Sequence, residues 1–121
     1  MAIKDFFSND FVTSDYDKNE RLLTHYYRND FKTTKNAVID VAKKLGYDVI
    51  DVNDQYKEIL LSNMNSEITV NIIEVSYYEQ AVDLHIVTHF LIPMGKGINY
   101  IEEYYQELDR NLYILRKGGK R

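Results

Sequence analysis

Residues 66–90 constrain the fold more than any other stretch of the chain. Val82, Leu84, Ile86, Thr88 and Phe90 fall on one side of an extended backbone, and Asp83, His85, Val87 and His89 on the other. Side chains of a strand alternate between faces, so this period of two predicts a strand with one buried face. The preceding run sets Ile68, Val70 and Ile72 against Thr69 and Asn71, with Ile73 and Val75 breaking the pattern at its end. Residues 76–79 then read as the turn of a long antiparallel pair. A slip of one residue would turn the whole apolar set to water, so the register is firmly specified. A sheet with one oily face also needs a layer to cover it.

The rest of the chain supplies that layer. From Thr33 or Thr34 to Leu45, the apolar residues Ala37, Val38, Val41, Ala42 and Leu45 form a helical stripe. A threonine suits the N-cap, Lys43 and Lys44 suit the negative end of the helix dipole, and Gly46 suits the left-handed position beyond it. Strands are expected over residues 47–52 and 57–63, and Pro93, Gly95 and Gly97 interrupt the chain after the long pair. A second helix is expected over residues 98–115. Ile101, Tyr105, Leu108 and Leu112 form its stripe, Asn99 and Glu102 form a capping box, Glu103 lies near its start, and Arg116 and Lys117 lie at its end. Residues 22–28 fit either a first strand, with Leu23, His25 and Tyr27 on one face, or a helix. Residues 1–20 form an arm, with one helical turn at residues 3–7. The aromatics Phe6, Phe7, Phe11 and Tyr16 pack it onto the body or onto another chain. Residues 116–121 are expected to fray.

The expected architecture is an α+β two-layer domain spanning residues 1–121, with the body at 22–115. Its antiparallel sheet has four or five strands, with both helices on one face. This β-α-β4-α order resembles the TATA-binding-protein-like, or helix-grip-like, folds, in which a curved antiparallel sheet wraps a long C-terminal helix. The stretches THYYRNDFKTTKNAVIDVAKKLGYDVIDVND and AVDLHIVTH, followed by a closing helix, are also similar to small uncharacterised bacterial cytosolic proteins of this layout. A shared layout carries no function with it. The DNA-binding use of such a sheet fits poorly with Asp51, Glu58 and Asp83 on its outer face.

Charge and composition exclude several chemistries. Net charge is −4 with scattered basic residues, which disfavours nucleic acid and anionic membranes as partners. The absence of cysteine removes disulfides, thiolate nucleophiles and Cys-bound zinc. Residues 1–5 lack the pattern of a signal peptide, and the longest apolar run, at residues 90–94, is far short of a membrane span. The expectation is a cytoplasmic protein without a cofactor. The 11 tyrosines can complete a core with a hydroxyl at its rim, or form a contact surface.

Motifs for chemistry are sparse. His85 and His89 would share a helix face, but along a strand they lie about 13 Å apart, too far for one ion whose bonds to nitrogen are about 2 Å. Asp15, Asp17 and Asn19 open like an EF-hand, but Glu20 stands where glycine belongs and Tyr26 where glutamate belongs. Gly95-Lys96-Gly97 before the second helix is an anion-site candidate, and equally simple punctuation. No Gly-x-Ser-x-Gly elbow or nucleotide-binding glycine motif occurs, so no catalytic or metal-binding residue is assigned and the expectation is not an enzyme.

Two functional expectations follow. The first is a protein-binding module, or a homodimer, that uses Tyr77 and Tyr78 at the turn and an outer sheet face with Val49, Leu60, Ile73, Val75 and Val87. The second is a carrier of a small apolar ligand. Its pocket would lie between the last helix and the sheet, lined by Tyr105 and gated by Phe90, Leu91, Ile92 and Met94.

Overall fold

The computed structural model describes residue 5 and residues 7–119. Among the described residues, α1 (Phe31–Lys44) and α2 (Lys96–Asn111) accompany seven strands. The strands are β1 (Asp10–Val12), β2 (His25–Tyr27), β3 (Asp48–Asn53), β4 (Glu58–Ser62), β5 (Ser66–Ser76), β6 (Glu79–Thr88) and β7 (Ile114–Lys117). All of them join one antiparallel sheet in the order β3-β4-β5-β6-β2-β7, with β1 also on β6. The alternation in β5 and β6 is realised: Ile68, Val70, Ile72, Val82, Leu84 and Ile86 are all buried. Each contributes about 1.5–3 kcal/mol of transfer free energy. They join the stripes of both helices in a single core. The Tyr104 hydroxyl of α2 donates to the Val38 carbonyl of α1 at 2.6 Å, tying the covering layer together.

The sheet has more strands than the four or five expected, because short segments complete the free edge of β6. β1 pairs with residues 85–87 of β6, and β2 with residues 80–82. They lie in line along β6, as one strand interrupted by an excursion over residues 13–24. At the break, Thr13 replaces the missing ladder. Its N–H donates to the Leu84 carbonyl at 2.9 Å, and its Oγ1 accepts from the Leu84 N–H at 3.0 Å. The Thr13 and Thr24 hydroxyls both donate to Asp83 Oδ1, at 2.8 and 2.6 Å, closing the neck of the excursion.

Several boundaries move. Asp30, not a threonine, caps α1 by accepting from the Thr33 N–H at 2.8 Å. At the other end Gly46 has φ +85°, and the Gly46 and Tyr47 N–H groups return to the carbonyls of Lys43 and Ala42, as a left-handed cap requires. α2 begins earlier, at Lys96 after Gly95 (φ +70°), so Asn99 and Glu102 lie inside the helix and form no capping box. It also ends earlier. Leu112 is extended, and Leu115, Arg116 and Lys117 belong to β7, antiparallel to β2. Residues expected to fray are thus paired: Gly118 N–H donates to Thr24 O at 2.7 Å and Gly119 N–H to Asp15 O at 3.0 Å. In the arm, Phe11 enters the core from β1, whereas Phe7 and Tyr16 are largely exposed. Residues 3, 4 and 6 of the expected helical turn, Phe6 among them, lie outside the described residues, as do residues 120 and 121.

Candidate functional site

The short strand β2 places a polar residue in the core. Its register sets His25 opposite Val82 and Tyr27 opposite Gln80, so both face the helices, while Tyr26 faces outward. α2 crosses above them and presents Tyr105 and Asp109, one turn apart on the same side. The rings of His25 and Tyr105 are parallel (3°) with centroids 3.5 Å apart. Asp109 Oδ1 lies 2.9 Å from His25 Nδ1 and accepts the Tyr27 hydroxyl at 2.7 Å. A carboxylate only accepts, so Nδ1 carries a proton, and in the neutral ring Nε2 is then an acceptor. No hydrogen bond reaches Nε2 among the described residues.

Burial, with the Asp109 charge second, raises the Tyr27 phenol far above its ordinary range. Burial likewise raises Tyr105, whose hydroxyl donates to the Val82 carbonyl at 2.7 Å. Both phenols are therefore neutral donors at ordinary pH. The arrangement is an oriented imidazole with one basic nitrogen free.

His25, Tyr105 and Asp109 form the floor of a groove of about 470 Å³. One wall is the 3₁₀ turn Glu20–Leu22 with Leu23. The excursion of residues 13–24 carries this wall, and Arg21 fastens it to α2 through the Asn99 amide oxygen and Glu102 (3.3 Å). Lys117 also lines the groove. It is the cross-strand partner of His25, so the two side chains share a face, and it makes no ion pair among the described residues. A larger hollow of about 840 Å³, lined by Asp10, Val12 and Tyr16 among others, contains no buried ionisable side chain.

Of the partner-binding and ligand-site residues expected from the sequence, only Tyr105 lines the groove. Phe90 is half-buried beneath the Lys96 ammonium, 4.3 Å from the ring centroid. Leu91, Ile92 and Met94 are exposed, Leu91 at 99%, and none of the four lines the groove as a gate. Tyr77 and Tyr78 are exposed and meet edge-on at 4.6 Å. Ile73 and Val75 are exposed beside them. Val87 is half-buried between Asp10 and Glu67, so the outer face offers no unbroken apolar patch there. Val49 has to be corrected: its pairing with Leu61 turns it to the covered face, where it packs on the core.

His85 and His89 reach different carboxylates, Asp10 at 2.7 Å and Glu67 at 3.7 Å. Asp15 and Asp17 accept from the Tyr26 hydroxyl and the Asn19 N–H. Among the described residues no three carboxylates or imidazoles are gathered to hold a metal, and no helix is long and apolar enough to cross a membrane. The residues missed at sequence level are His25, Tyr27 and Asp109. The alternation of residues 22–28 had already put the first two on one face, but nothing joined them to a helix more than eighty residues away.

No protein-family model matches the chain, and no curated protein matches it.

Proposed function

We propose that the protein is a small-molecule-binding module whose site is the groove between α2 and the β2–β7 edge. The observation that carries this reading is His25, only 5% exposed and clamped between the Tyr105 ring and Asp109, with one ring nitrogen unspent at the groove floor. Nε2 is not among the polar atoms sealed in the interior without a partner, so it opens to the groove, and concave sites with a few fixed polar groups are where small ligands bind. The lining of Arg21, Glu102, Asp109 and Lys117 favours a polar ligand over an apolar one. Ligand-observed NMR with a set of small alcohols, amines and carboxylates tests the idea. Binders should appear with the wild-type chain and disappear with His25→Ala, whose fold is checked by circular dichroism. Identical binding by both chains would remove the groove from consideration.

A second reading, docking of a protein partner or a second copy, has its own support. β5 continues past the end of β4, whose last pairing is Glu58 with Asn71. Ile73 and Val75 therefore lie on an overhang that ends in the exposed Tyr77–Tyr78 pair. Light scattering at high concentration addresses the second copy: a mass above the monomer that Tyr77→Ser/Tyr78→Ser abolishes supports it, and a monomer throughout removes it.

A further inference from the structure

We propose that His25 is a proton acceptor for a small substrate in the groove, positioned by Asp109, with Lys117 meeting the negative charge that proton removal leaves. The proposal rests on the groove being a binding site and adds a reaction to it. A base needs one ring nitrogen held by the protein and the other open to the substrate. Here Nδ1 is bonded to a carboxylate and Nε2 takes no hydrogen bond among the described residues. The ring is fixed twice, by the stack on Tyr105 and by the bond to Asp109, and the Tyr27 hydroxyl fixes that carboxylate in turn. This is how a general base is held in one tautomer and one orientation. The cation beside it is equally specific. Lys117 is opposite His25 in the β2–β7 ladder and is not neutralised by an ion pair among the described residues.

The reaction class is removal of a proton from a carbon whose electrons can pass to an oxygen. The C–H bond breaks, an N–H bond forms at Nε2, and the electron pair ends on oxygen beside the ammonium. No oxidant or reductant takes part, and the proton returns to product or solvent.

A probe of this chemistry is 5-nitrobenzisoxazole. Loss of its ring C–H proton closes a nitrile, breaks the N–O bond and releases a coloured phenolate. The wild-type chain should exceed free imidazole at equal concentration by about 10²-fold or more, the usual contribution of a positioned base. His25→Gln should fall to the imidazole rate, and Lys117→Ala should lower kcat. Asp109→Asn should lower kcat while the imidazole ¹⁵N spectrum shows a changed tautomer and circular dichroism stays native, a combination that a purely structural role would not give. A wild-type rate equal to imidazole overturns the proposal, as does a natively folded His25→Gln that keeps the rate. The 3-methyl analogue has no proton to lose and serves as an inert ligand. Shifts of His25 and Tyr105 signals with that analogue, without turnover of the reactive probe, overturn the base and leave the groove standing. No shifts and no turnover overturn both.

Discussion

Removing Asp109 tests whether the buried polar cluster is a working set of bonds. Asp109 sits in the last turn of α2, where a carboxylate opposes the helix dipole by about 0.3–1 kcal/mol. Without partners, its replacement by alanine would therefore stabilise the fold slightly. The structure gives it two, the Tyr27 hydroxyl at 2.7 Å and His25 Nδ1 at 2.9 Å, from side chains that are 0% and 6% exposed. Hydrogen bonds to a charged group are worth about 1.5–3 kcal/mol net, and an orphaned buried donor costs about 1–3 kcal/mol. The low end applies, because Tyr27 and His25 lie 3.4 Å apart and can pair with each other once the carboxylate is gone. Asp109→Ala should therefore destabilise by about 2–3 kcal/mol and Tyr27→Phe by about 1–2 kcal/mol, with a coupling in the double variant of about 1–2 kcal/mol. Urea unfolding followed by circular dichroism reads all three, provided the slope with denaturant is unchanged. Additivity within about 0.5 kcal/mol, or a stabilised Asp109→Ala, would refute the bonding scheme.

Three further outcomes are expected. Gly97→Ala should lower stability by about 1–3 kcal/mol through overpacking, because the added Cβ would lie 2.7 Å from Phe11 Cδ2 and 3.5 Å from Ile86 Cγ2; trimming Phe11 to Leu should recover part of the loss, read as Tm. Burial first, then the Asp15 hydrogen bond, pushes Tyr26 up to about 12, and burial also raises Tyr27, Tyr47, Tyr104 and Tyr105. Their folded values exceed the unfolded 10.0, so their contribution is complete below pH 10 and lost as pH rises above it. Phenolate absorbance should therefore lag in the native chain until alkaline unfolding, and all 11 tyrosines ionising together near pH 10 with the fold intact would contradict this. The Lys44 hydrogen bond, aided by Arg110, holds the Glu107 carboxyl below its ordinary range. Its stabilisation is present above that range and lost as pH falls through the lowered value, so Glu107→Gln should flatten the acid limb of the stability profile.

What could be read from the residues depended on segment length. β5 and β6 run for eleven and ten residues, long enough for a period of two to emerge, and both helices display full stripes. β1 and β7 have three and four residues, too few for any period, and exist because β6 and β2 offer open edges. Asn99 and Glu102 looked like a cap because their spacing fits one, yet after the left-handed Gly95 the helix starts at Lys96, two residues sooner than expected, and both are free for Arg21. The site was half legible. Alternation put His25 with Tyr27, and helical spacing turned Tyr105 inward, but only the crossing of α2 over β2 brings in Asp109. The apolar residues 90–94 can be read as tucked into the core or as an exposed lid; Leu91 stands in solvent, and none of them lines the groove.

The Asp109 carboxylate at 2.9 Å should hold His25 with its Nδ1 protonated and its Nε2 bare. Long-range ¹H–¹⁵N correlation of the imidazoles at about pH 8, where an ordinary histidine is neutral, measures this directly. His25 should show the Nδ1–H tautomer in the wild-type chain; a dominant Nε2–H tautomer, or a ring exchanging between the two, would mean that Asp109 does not orient the imidazole.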